Sequence, residues 1–181
     1  MNWFAILFAK GPASGHWKGY YEQHGRSFPV ELSLKHRGTK VSGRMVDLEP
    51  KHSQPLRKLL VDSWMPEEQI DTFIEEFKSL FPGSPNGEIE YRSSLPTNSL
   101  IAGEINGSSI SFSKRYEGYQ EIEYRLNGLS LCQSAQCEIV RYNGEISDEF
   151  RVISGNWVIP VPNESGSVVT GKFHLERRIA G

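Results

Sequence analysis

Residues Glu104–Gly128, EINGSSISFSKRYEGYQEIEYRLNG, decide how this chain folds. Ile110, Phe112, Lys114 and Tyr116 alternate with Ser109, Ser111, Ser113 and Arg115, a period of two that sends one set to each face of a strand. Ile122, Tyr124 and Leu126 repeat the pattern against Glu121, Glu123 and Arg125. Asn106-Gly107 and Asn127-Gly128 bracket these runs, and Asn-Gly suits the two positive φ angles of a type I′ hairpin turn. The stretch reads as consecutive antiparallel strands.

The same signals extend outward. Asn86-Gly87 and Asn143-Gly144 predict two further hairpin turns. Phe28, Val30, Leu32 and Leu34 oppose Glu31, Ser33 and Lys35, and after Arg37-Gly38 come Val41, Gly43 and Met45. Toward the C-terminus, Gly155, Trp157, Ile159 and Val161 form one stripe and Val169, Gly171, Phe173, Leu175 and Arg177 another, with turn chemistry in Pro162–Gly166 between them. These runs predict roughly nine or ten short strands.

One segment follows a different period. After Pro66 the apolar positions are Ile70, Phe73, Ile74, Phe77, Leu80 and Phe81, the spacing of one helix face, with Glu67 and Glu68 in the first turn and Pro82-Gly83 as a stop. Pro55 followed by Leu56, Leu59, Leu60 and Trp64 predicts a shorter helix upstream. A helical insertion at about residues 53–82, within the stretch 50–85, therefore interrupts a β domain that otherwise spans 1–181 as a single unit. The Ile70, Phe73, Ile74 and Phe77 stripe is expected to pack on the barrel into which that domain closes, across one of its openings.

Composition narrows the function. The 181 residues carry 20 Lys and Arg against 22 Asp and Glu, a net charge of -2, with the signs interspersed. No basic stripe is present to neutralise phosphates, so nucleic acid and anionic membrane are poor partners. The run Trp3–Ala9 is too short to span a bilayer and reads as a packed segment plugging one end of the domain, with a cleaved signal peptide as the minor alternative. Cys132 and Cys137 lack metal-ligand or Cys-x-x-Cys spacing, which fits two semi-buried thiols in a cytoplasmic protein. A local disulfide across a tight turn is the alternative.

A meander this long must stack or close, since open edges invite aggregation. Gly19, Gly43, Gly103, Gly155 and Gly171 inside strands favour closure into an antiparallel barrel, because strand glycines mark coiling or close approach. Gly15-His16-Trp17, Val41-Ser42-Gly43-Arg44 and the closing Gly171-Lys172-Phe173-His174-Leu175-Glu176-Arg177-Arg178 resemble the calycin superfamily of lipocalins, fatty-acid-binding proteins and avidins. The resemblance implies a meander barrel, open at one end, holding a small molecule. It covers most of the chain in layout, although lipocalins carry their main helix after the barrel strands and this chain carries one among them.

Enzyme signatures are absent from the sequence: no nucleophile elbow, P-loop, dinucleotide fingerprint or His-Glu-x-x-His. His16, His24, His36, His52 and His174 are scattered without ligand spacing, and no cofactor is implied. Asp47 with Glu49, and Glu121 with Glu123, are spaced for one strand face, where such pairs usually meet solvent. Tyr21, Tyr91, Tyr116 and Tyr124, with Lys114 and Arg177, fall in phase with apolar positions, so they are the candidate ligand-binding residues of a barrel interior. They point to non-catalytic binding of a small, partly apolar ligand, with the cations suited to an anionic head group. The alternative is an interaction module whose amphipathic helix dimerises or docks a partner, and a third reading, ranked below both, is an enzyme of unrecognised type. Trp17 and Arg177 are expected to meet where first and last strands close the barrel, the guanidinium over the indole.

Overall fold

A computed structural model describes residues 11–23, 25–62, 65–83, 86–147, 149–160 and 168–178. In chain order its elements are β1 (Gly15–Gln23), β2 (Arg26–Arg37), β3 (Lys40–Asp47), β4 (Lys51–Pro55), α1 (Leu56–Asp62), α2 (Glu67–Lys78), β5 (Glu90–Ser94) and β6 (Asn98–Asn106). Then follow β7 (Ser109–Tyr116), β8 (Tyr119–Leu126), β9 (Leu129–Gln136), β10 (Val140–Ile146), β11 (Val152–Pro160) and β12 (Val168–Arg177). The expected nine or ten strands are twelve, because β4 and β9 carry few apolar residues and leave a weak alternation. The chain forms two compact units, one of 1–49, 96–117 and 137–181, the other of 50–95 and 118–136.

The first unit is a closed antiparallel barrel of eight strands in the order β1-β12-β11-β10-β7-β6-β3-β2. First and last strands pair, with Trp17 opposite Arg177 and Tyr21 opposite Phe173. Inward positions follow the period of two: Val30, Leu32 and Leu34 on β2, Ile110 and Phe112 on β7, Phe173 and Leu175 on β12 are all buried. Trp17 and Ile153 have no exposed surface at all. Glycine permits this coiling where a strand crosses close to its neighbour. A Cβ on Gly103 would lie 2.0 Å from the Ser111 carbonyl oxygen, a distance no side chain tolerates.

One end of the barrel is sealed by residues 11–14. Gly11 N–H donates to the His36 carbonyl at 2.8 Å, and His36 N–H donates to Ser14 Oγ at 2.8 Å. The Trp17 indole donates to the Ala13 carbonyl at 3.1 Å, and Arg177 donates to the carbonyls of Pro12 and Ser14 at 2.9 and 2.7 Å. Arg177 thus meets Trp17 in register as expected but spends its guanidinium on backbone oxygens, which hydrogen-bond it more strongly than an indole face attracts it. The run Trp3–Ala9 and the turn Pro162–Gly166 lie outside the described residues.

The second unit is a four-stranded antiparallel sheet, β4-β5-β8-β9, with α1 and α2 on one face. Leu56, Leu60, Ile70, Phe81, Ile89, Tyr91 and Leu126 form its buried core, and Phe73, Ile74 and Phe77 pack against it. The α2 stripe, expected across a barrel opening, is spent instead on its own sheet, whose apolar face needs the same cover. Glu90, Glu121, Glu123 and Arg125 occupy the opposite face, where Arg125 reaches Glu123 at 2.8 Å and Ser134 bonds Glu121. Glu121 and Glu123 thus share the solvated face, each tied to a neighbour on its own sheet.

Of the four Asn-Gly pairs, Asn127-Gly128 is the two-residue turn expected, with φ of 50° and 83°. Asn106 ends β6, and Gly107 with Ser108 makes the turn. Asn86-Gly87 precedes β5 after a helix, while Asn143-Gly144 lies inside β10 opposite Gly155. A Cβ on Gly144 would stand 2.3 Å from the Ser154 carbonyl, so this glycine serves close strand approach and not a turn. Cys132 and Cys137 form no disulfide. Among the described residues no helix is long and apolar enough to cross a membrane.

Candidate functional site

The polar feature of the barrel lies at the end opposite the sealed one. Lys114 stands in phase with Ile110 and Phe112, so β7 carries it inside, whereas Arg115 points out and is exposed. Its side chain has no exposed surface and Nζ lies 2.7 Å from each oxygen of Asp47, itself buried. Asp47 arrives by the same rule on β3, two residues beyond buried Met45. Glu49, beyond the strand end, is exposed, so the two carboxylates part.

Two tyrosines complete the set. Lys114 Nζ donates to Tyr116 Oη at 2.9 Å and lies 4.3 and 5.3 Å from the ring centres of Tyr116 and Tyr21. The Tyr21 ring flanks the ammonium as well, and the Asp47 charge bears on its hydroxyl. Tyr21 and Tyr116 are both half-buried, so their rings stand between the ion pair and the barrel rim.

Aromatic packing fixes these rings. Tyr21 stacks on Phe28 at 5.1 Å and 14°, and meets the Trp157 ring edge-on at 6.3 Å. Trp157 donates its indole N–H to the Glu22 carbonyl at 3.0 Å. Gly171 makes that seat: a Cβ there would lie 2.1 Å from the Glu22 carbonyl and 2.7 Å from the indole. Arg26 sits over the outer Phe28 ring at 5.4 Å. Deeper in, Tyr142 stacks on Phe112 at 4.7 Å and 7° and meets Phe173 edge-on.

Burial dominates the electrostatics. It pushes the Asp47 carboxyl above the usual carboxylate range despite the Lys114 ammonium, and pulls Lys114 below the usual lysine value despite Asp47. Burial and the Asp47 charge hold the Tyr21 and Tyr116 hydroxyls well above the ordinary phenol value, so both stay protonated donors. Asp47 Oδ2, close as it is to the ammonium, receives no well-directed hydrogen bond among the described residues. The arrangement offers an apolar aromatic wall and phenolic hydroxyls, with the net charge behind them cancelled.

Of the residues picked out by sequence, Tyr21, Lys114 and Tyr116 come together. Arg177 does not: it lies at the sealed end, four residues along the β1–β12 ladder from the Tyr21–Phe173 pair, about 13 Å away. Tyr91 and Tyr124 belong to the other unit, 5.6 Å apart in its sheet, with Tyr124 against Phe77 at 4.7 Å. Their alternation marks the core-facing side of a strand, but the sheet they line is not the barrel. Asp47 was missed as the partner of Lys114, although Val41, Gly43, Met45 and Asp47 keep one phase and a lysine held inside needs a counter-charge. Phe28, Tyr142 and Trp157 carry no local signal beyond apolar alternation. Among the described residues no three His, Cys, Asp or Glu side chains gather as metal ligands. Comparison with family models, with curated proteins and with solved structures finds no match.

Proposed function

We propose that the barrel binds a small, partly apolar molecule at the rim formed by Tyr21 and Tyr116, without catalysis. The observation that carries this reading is the burial of Lys114 and Asp47 among aromatic rings. An ion pair taken out of water recovers little of its desolvation cost, and apolar side chains of similar volume fill a core at least as well. The pair therefore acts best as a holder of two phenols whose hydroxyls and rings meet a ligand. Because Asp47 cancels the Lys114 charge, the head group that fits is a neutral hydroxyl or amide, not the anion the lysine alone suggests. This reading keeps the small-molecule role that a calycin-like barrel implies and moves its contacts to one rim.

Native mass spectrometry of the protein purified from its host tests it. A small-molecule adduct is expected on the wild type, with occupancy reduced about fivefold in Tyr116→Phe, the worth of one hydrogen bond near 1 kcal/mol. Absence of any adduct, together with unchanged melting across a panel of neutral apolar compounds, overturns the reading.

A further inference from the structure

The four-stranded sheet has two edges of opposite character. The β4 edge is short, begins at Lys51 and ends at Pro55, a charge and an imino acid that discourage strand addition. The β9 edge is eight residues long, Leu-Ser-Leu-Cys-Gln-Ser-Ala-Gln, with neither charge nor proline. Seven of its residues are exposed, and among the described residues no strand pairs with its outer side.

Hairpin geometry says which backbone groups stand open. The two-residue turn makes Leu126 and Leu129 a hydrogen-bonded pair, so alternate residues of β9 from Leu129 onward spend their N–H and C=O groups on β8. Ser130, Cys132, Ser134 and Gln136 turn theirs to the free edge. Such an edge is covered by an extended strand.

We propose that this strand is β9 of a second copy of the chain, antiparallel about a two-fold axis at Cys132, so that two four-stranded sheets become one continuous sheet. Sheet geometry requires opposed residues to share a face. An axis at Cys132 meets this condition: Cys132 faces its own copy, Ser130 faces Ser134 of the second copy, and Leu129 faces Ala135 on the helix-covered side. Self-pairing places a strand against its own charges, and β9 has none to repel. One isologous contact also consumes both β9 edges, leaving among the described residues only the guarded β4 edges outside, so assembly stops at two. Leu129, 39% exposed at the edge of the second core, gains cover in the same step.

Sedimentation velocity of the full chain across the micromolar range provides the test. Association to twice the 20.5 kDa chain mass is expected. Cys132→Lys, which sets two ammonium groups face to face on an exposed position, should weaken association at least tenfold with the circular dichroism unchanged. Cys132→Ser should associate as the wild type does. In a Cys137→Ser background, diamide should link Cys132 to its copy: the two thiols give two protons and two electrons to diamide, which becomes the hydrazine. A hydrogen-bonded pair places the Cα atoms about 5.5 Å apart, within a disulfide's reach. A monomer at every concentration overturns the proposal. So does a dimer that withstands Cys132→Lys or that diamide fails to link.

Discussion

The barrel and the four-stranded unit use one sequence grammar and reach opposite solutions for charge. In the barrel, alternation carries Lys114 and Asp47 inward and closure leaves no strand edge. In the smaller unit the same alternation turns Glu90, Arg92, Glu123 and Arg125 to one exposed face, tied by ion pairs of 2.8 Å, while two helices cover the other. A sheet that closes on itself must pair its inward charges internally, whereas an open sheet leaves most of its polar face to water and is left with edges to protect. The barrel therefore carries the chemically loaded interior, and the open sheet carries the free edge.

The largest effect expected on this comparison comes from separating the buried pair. Lys114→Met leaves Asp47 uncompensated beneath the barrel rim and should cost about 3–5 kcal/mol, read as a lower urea midpoint. Lys114→Met combined with Asp47→Leu removes both charges and should return stability to within about 1 kcal/mol of wild type or above it. If the single and double variants lose the same amount, packing alone holds the site together and the contrast in charge placement explains nothing.

A smaller effect separates the two cores. Phe77 is half-buried between Tyr124 and Phe81, with ring centres at 4.7 and 6.2 Å, so Phe77→Ala removes contacts belonging to the sheet unit only. It should cost about 2 kcal/mol, less than a fully buried phenylalanine. Hydrogen exchange should show the loss in β5 and β8 amides, with protection in β1 and β12 unchanged. Equal loss in both would mean that the chain unfolds as one cooperative body.

What the sequence made legible follows the same division. Alternation reports that a face is buried, and it set Lys114 inside and Arg115 outside correctly, as it did Ile110 through Tyr116. It does not report what the face is buried against, so Tyr91 and Tyr124 read as barrel residues when their partners are Phe77 and α1–α2. The pairing of β3 with β6, and of β7 with β10, skips the strands between them. No local residue pattern encodes a neighbour that many positions away. Closure was legible because Gly19, Gly43, Gly103, Gly155 and Gly171 each sit where a Cβ would strike backbone. The Arg177 bonds to Pro12 and Ser14 were not, since carbonyl oxygens carry no side-chain signature.

The smallest effect, and the one that tests the contrast most directly, is in the sign of carboxylate titration. Glu90 is held below the usual glutamate value chiefly by hydrogen bonds from Arg92 and Ser53, and Glu123 by those from Arg125 and Ser130. Their folded values lie below the unfolded ones, so what they contribute is present above the ordinary carboxylate range and is lost as pH falls through the folded values. Asp47 runs the other way. Burial holds its folded value above the unfolded one, so the contribution of its protonated form is complete below the ordinary range and is lost as pH rises through the raised value. Carbon-detected carboxyl titration should therefore show Asp47 taking up its proton before Glu90 and Glu123 on acidification. Glu31, paired with Lys18 at 2.6 Å on the barrel's outer face and likewise lowered, is the control that separates inside from outside within one unit. On further acidification β5 and β8 should lose a little exchange protection, since exposed pairs contribute little. An Asp47 midpoint at or below that of Glu31 would mean that Lys114 outweighs burial, and the barrel interior would then be held by its ion pair after all.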